Sequence, residues 1–119
     1  MSMSLVSIRP SGATVLGWPL ELDAELTDAA PAATEDRLRA LAGLMAHMNG
    51  VSHASADAHC HGRHVRANVT MQAGDLTEAV ERAVALVHSS ALDAGLGAVI
   101  LVAVRAEAAG PAERGLRAG

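Results

Sequence analysis

The sequence predicts an α+β fold, with two helices lying on one face of a four-stranded antiparallel sheet. Three observations carry that reading. Two stretches on either side of Gly62 alternate small apolar with polar side chains at period two, and a turn brings their apolar sets onto one face. Two stretches behind Thr34 and Asp75, both N-cap residue types, repeat apolar residues at helical spacing. Two outer stretches, 13–28 and 98–106, read as strands. The order along the chain is therefore strand, helix, strand, strand, helix, strand.

Residues 1–12 form a short N-terminal segment in which Leu5, Val6 and Ile8 suit an edge strand, ended by Pro10 and Gly12. In 13–28, Leu20, Leu22, Ala24 and Leu26 alternate with Glu21, Asp23 and Glu25, which predicts the first main strand. Gly17 and Pro19 predict a bulge or bend near its start. After the link at 29–33, Thr34 caps a helix over about 35–49. Glu35 and Asp36 complement its dipole. Leu38, Leu41, Met45 and Met48 mark its buried stripe, and Asn49-Gly50 supplies a left-handed ending.

The hairpin is the most informative stretch. Ala54, Ala56, Ala58 and Cys60 share one face of its first strand, with His53, Ser55, Asp57, His59 and His61 on the other. In the second strand Val65, Ala67, Val69 and Met71 alternate with His64, Arg66, Asn68 and Thr70. A two-residue turn at Gly62-Arg63 pairs His61 with His64, Cys60 with Val65, His59 with Arg66 and Asp57 with Asn68. A slip of one residue would turn one apolar row to the wrong face.

Beyond Gly74, Asp75 and Glu78 form a capping-box-like start to a second helix. Its stripe is Leu76, Ala79, Val80, Ala83, Val84, Val87 and Ala91, and Gly95 and Gly97 stop it. Residues 98–106 are a strand apolar on both faces, and 107–119 read as a flexible tail. Strand-helix-strand-strand-helix-strand is the split βαβ, or ferredoxin-like, sandwich, with strands one and three central. Many unrelated activities share that arrangement, so it assigns none. It also puts the last strand at an edge. An edge strand with two apolar faces needs a cover. The expected cover is a second copy, by sheet-to-sheet packing or edge pairing, giving a homodimer or higher homo-oligomer. The N-terminal segment 1–12 is the alternative cover.

At 119 residues the chain is expected to be a single domain, 1–119, with a core that folds without staples. Trp18 is its one aromatic residue besides histidine, and no lysine occurs, so the core must be thin and built on Ala, Val and Leu. A net charge of −4 and scattered arginines exclude a nucleic-acid surface. No apolar run reaches the roughly 20 residues that span a membrane. The N-terminus lacks signal-peptide features, and the single cysteine fits a reducing compartment, so a cytoplasmic protein is expected.

No phosphate loop, dinucleotide fingerprint, CxxC or GxSxG occurs. His59, His61 and His64 gather near the hairpin tip at a spacing that suits Zn²⁺, Ni²⁺ or Cu²⁺, with Asp57 as a further ligand or outer partner. Arg66 on the same face opposes a cation there, and a solvated His-rich face is the plain alternative. Cys60 is expected to be a small core residue, because its flanking histidines point to the opposite face. Glu21, Asp23, Glu25, Asp57, Arg66 and Asn68 are the ligand-binding candidates on the open sheet face. Arg66 and Arg105 pairing with those carboxylates is the ordinary explanation of the row. His47 and His88 are expected to face solvent or cap.

These features together predict a dimeric binding, regulatory or assembly module without a catalytic motif, taking a small molecule or a protein as partner and no resident cofactor. The alternatives are a small dimeric enzyme using His and carboxylate groups of the open face on an apolar metabolite, and a transition-metal binder at the hairpin.

Overall fold

The computed structural model describes residues 16–107 and the backbone of 110–111. Its elements are β1 (Leu16–Leu26), α1 (Glu35–Ala46), β2 (Val51–His59), β3 (His64–Ala73), α2 (Leu76–Asp93), β4 (Val99–Ala106) and a two-residue strand β5 (Gly110–Pro111). The fold is α+β, with four antiparallel strands in one sheet and two helices. The strand order is β2-β3-β1-β4, so the first and third strands are central, and β5 also pairs with β1. The edge strand expected within 1–12 and the first residues of the 13–28 strand lie outside the described residues.

β1 explains the layering. Its even-numbered row, Leu20, Leu22, Ala24 and Leu26, is buried beside Val65, Ala67, Val69 and Met71 of β3. The ladder sets Leu20 opposite Val69, Leu22 opposite Ala67 and Ala24 opposite Val65. Both helices close this one face: α1 buries Leu41 and Met45, and α2 buries Ala79, Ala83, Leu86, Val87 and Ala91. Ala67, Ala79, Ala83 and Ala91 are all no more than 1% exposed. Small side chains at the helix–sheet contact thus replace the bulky aromatics the chain lacks.

Gly17 and Pro19 do not break β1 against β3, where the register runs unshifted from Leu16↔Ala73 to Glu25↔His64. The proline falls instead where the other partner changes, between β5 (opposite Leu16 and Gly17) and β4 (from Leu20 onward). Pro19 O accepts from Glu107 N on that side at 3.0 Å. A residue's N and O point the same way in an antiparallel ladder, so the missing proline donor faces this seam. The register shift on that side lies between Asp23 and Ala24. Within the stretch 107–119 expected as a flexible tail, Gly110 and Pro111 pair with Gly17 and Leu16, and 108–109 and 112–119 lie outside the described residues.

Both predicted caps are present. Thr34 Oγ1 accepts from Arg37 N at 3.2 Å, and Asp75 Oδ1 from Glu78 N at 2.8 Å. Glu78 reaches back to the N–H of Gly74 at 2.9 Å, one residue before the cap itself. α1 ends at Ala46, not 49. His47 becomes its C-cap, its N–H donating to Gly43 O, with its ring Nδ1 2.7 Å from the same carbonyl. Met48 is therefore 53% exposed and not part of the buried stripe. Leu76, the first residue of α2, is likewise exposed, and Leu86 joins the core in its stead.

The hairpin forms, with a different turn. His59 pairs with His64, Ala58 with Val65, Asp57 with Arg66 and Ala56 with Ala67. The connection is four residues, Cys60-His61-Gly62-Arg63, and the pairing is displaced by two residues from the two-residue-turn register. An even displacement keeps every side chain on its expected face. Cys60 leaves the strand altogether and is exposed, which corrects its expected place in the core.

Leu22 and Ala83 test this core from opposite directions, since both are 0% exposed. Leu22→Ala is expected to lower unfolding stability by about 2–5 kcal/mol. Ala83→Leu is expected to lower it by about 1–3 kcal/mol through overpacking. Urea unfolding followed by circular dichroism measures both, and a neutral Ala83→Leu would contradict the close helix–sheet contact.

Candidate functional site

The polar face of the sheet is built by the odd-numbered row of β1 and its neighbours. Arg66 Nε lies 3.1 Å from Asp23 Oδ1 and 3.1 Å from Glu21 Oε2, and Arg105 Nη1 lies 2.7 Å from the same Glu21 oxygen. Asp57 is the cross-strand partner of Arg66. The hydrogen bond to Asp23, then the charge of Glu21, raise the pKa of the Arg66 guanidinium, with Asp57 adding a smaller push in the same direction. Of the ligand-binding candidates, Glu21, Asp23, Asp57 and Arg66 therefore form one ionic patch. Glu25 stands at its end, and Asn68 faces Glu21 across the ladder. Glu21, Asn68, His53, Thr70 and Arg105 border a shallow depression of about 300 Å³.

The other end of the face meets the hairpin turn, which is docked on the β1–α1 connection. Leu26 N donates to Arg63 O at 2.9 Å and Ala33 N to Gly62 O at 2.9 Å. The Arg63 guanidinium donates to Ala30 O at 2.8 Å and to Thr27 O. Gly62 has φ +80°, and a Cβ there would sit 3.0 Å from both Ala32 Cβ and Ala33 O. Only glycine accommodates that approach. The two residues before it also have left-handed backbones, Cys60 with φ 56° and His61 with φ 57°. Side chains bearing a Cβ disfavour that region by roughly 1–2 kcal/mol each. The surrounding hydrogen bonds hold them there.

This strained turn sets three donor groups side by side. One donor atom each from His59, Cys60 and His64 lies within 4.8 Å of the other two. The imidazoles of His59 and His64 meet edge to face, with centroids 5.3 Å apart. His64 Nε2 lies 2.9 Å from Glu25 Oε2, so a ligand taken while that contact holds would meet Nδ1. The trio expected from sequence was His59, His61 and His64. His61 is not in the cluster, and Cys60 takes its place because the turn is longer than a two-residue loop. Among the described residues no other group of three metal-type donors comes this close. His47, the C-cap of α1, and His88, on α2, are exposed and stand outside this cluster.

The sequence pattern did not reveal Cys60 as a site residue. Two- and four-residue turns place the same residues on the same faces, and only the pairing distance differs. No protein-family model matches the chain, and no curated protein matches it. No helix among the described residues is long and apolar enough to cross a membrane.

Arg63 holds the turn in place through part-buried carbonyls. Arg63→Ala is expected to cost about 1–3 kcal/mol by leaving those acceptors unsatisfied. It should also speed amide hydrogen exchange at Ala33 and Leu26, whose N–H groups bond the turn. Unchanged exchange at both positions would show that the turn is held without it.

Proposed function

We propose that this chain is a small ferredoxin-like module that works as a homodimer, with assembly and ligand binding rather than catalysis as its role. The order β2-β3-β1-β4 with both helices on one face supports the ferredoxin-like assignment. The observation that carries the dimer is the surface of β4. Ile100, Val102 and Val104 are 55%, 51% and 37% exposed on a strand that, among the described residues, pairs only with β1.

The partner this edge suits is another copy of β4. Antiparallel pairing of two identical edge strands about a two-fold axis gives their free backbone groups partners and lays the exposed apolar residues of one copy beside those of the other, with Ile100 (opposite Glu25) and Val104 (opposite Leu22) flanking the seam on opposite sheet faces. Packing of two open faces is the poorer route. Those faces carry the Glu21–Arg66–Asp23 and Glu21–Arg105 pairs, and drying them costs more than the contact returns. The same ionic pairing disfavours the enzyme reading, because Glu21 and Asp23 are already engaged with arginines and Glu25 with His64. The depression beside His53, Asn68, Thr70 and Arg105 offers hydrogen-bond donors to a small polar ligand, and it is open to solvent with apolar as well as polar walls.

Sedimentation of the full chain at micromolar concentration tests the dimer. Twice the chain mass is the expected result, and Ile100→Lys with Val102→Glu should halve it while leaving the far-ultraviolet circular dichroism unchanged. A wild-type monomer at tens of micromolar sinks the reading. A dimer that survives both substitutions removes β4 as its interface.

A further inference from the structure

The turn at 60–63 carries a second reading that is independent of the dimer. We propose that His59, Cys60 and His64 form a binding site for a divalent transition cation of the zinc class. One thiolate sulfur and two imidazole nitrogens are the ligands, with Glu25 positioning the His64 ring. Sulfur and imidazole donors select borderline and soft cations and reject Mg²⁺ and Ca²⁺, which prefer oxygen. Three protein ligands leave a fourth position for water or an incoming ligand, the open form of a zinc site.

Four observations point to this site together. The three donors already lie within 4.8 Å of each other. A tetrahedral ion with bonds of about 2.0–2.3 Å needs donors roughly 3.3–3.8 Å apart. Rotation of the exposed His59 and Cys60 side chains toward His64, which stays on Glu25, is the movement that closure requires. Second, the Glu25–His64 contact is the carboxylate–imidazole arrangement that fixes a ligating ring's tautomer and raises its basicity. Third, the left-handed backbone of Cys60 lifts its side chain out of the strand alternation that would bury it. Such strain, held by docked neighbours, is the kind found where a side chain has a task. Fourth, the nearby cations are spent. Arg63 is turned onto the carbonyls of Thr27 and Ala30, and Arg66 is matched by Glu21 and Asp23. The repulsion that Arg66 would exert on a bound ion is thereby offset.

Titration of the reduced, chelator-treated full chain with Zn²⁺ and, separately, with Co²⁺ tests the site. The expected result is one ion per chain, with a near-ultraviolet sulfur-to-Co²⁺ charge-transfer band. Cys60→Ser should abolish that band, and His64→Ala should weaken Zn²⁺ binding by at least tenfold. Glu25→Gln should weaken it by about 10–100-fold, as loss of an outer partner does. His61→Ala should leave binding unchanged, which separates this site from a general His-rich surface. No stoichiometric binding at tens of micromolar overturns the proposal. So does a Co²⁺ complex without the sulfur band, or equal loss of affinity in His61→Ala and His64→Ala.

Discussion

The pairing of β1 with β3 is the constraint on which the rest of this structure depends. One side of that ladder is a dry row of leucine, valine and alanine roofed by two helices. The other is a row of carboxylates answered by arginine and histidine from the neighbouring strands. Each side makes the other necessary. The apolar row needs a register that keeps it inward, and the same register delivers Asp23 to Arg66 and Glu25 to His64. The ionic patch is thus a consequence of core packing, and its order is inherited from the core.

The lack of large side chains shapes the remaining architecture. Alanines at the inner faces of α2 and β3 let the helix lie close, where dispersion contacts accumulate over short distances. A core of this kind is thin, and it leaves apolar residues over. They fall on β4, the edge of the sheet, where about half of Ile100 and Val102 and about a third of Val104 meet water. Charge covers the broad face and apolar groups line the rim, so the physical character of the molecule divides by strand as well as by face.

The turn between β2 and β3 shows how a small docking contact can redirect chemistry. A tight two-residue loop would have kept Cys60 in the ladder with its sulfur inward. Hydrogen bonds from Leu26 and Ala33, and the arginine of the turn bonded to two carbonyls, favour a longer loop lying on the β1–α1 connection. Two non-glycine residues adopt left-handed backbones as a result. The outcome is an exposed thiol within 4.8 Å of two imidazole donors, one of them paired with Glu25, on a turn held to its neighbour.

The sequence by itself determined the element order, both helix starts and the face on which each residue of β1 and β3 lies. Those properties follow from local periodicity and capping chemistry, which each stretch carries within a few residues. It also foretold Arg66 answering the β1 carboxylates, because alternation on adjacent strands sets them on one face, whereas Arg105 reaches Glu21 only through the register shift at Asp23/Ala24, without which it would share the face of buried Val99. Only the tertiary structure decided the turn length, the exposure of Cys60 and the exclusion of His61 from the histidine group. Registers two residues apart are identical in their alternation, so the local pattern is silent between them. Contacts with residues some thirty positions away, at Thr27, Ala30 and Ala33, break the tie.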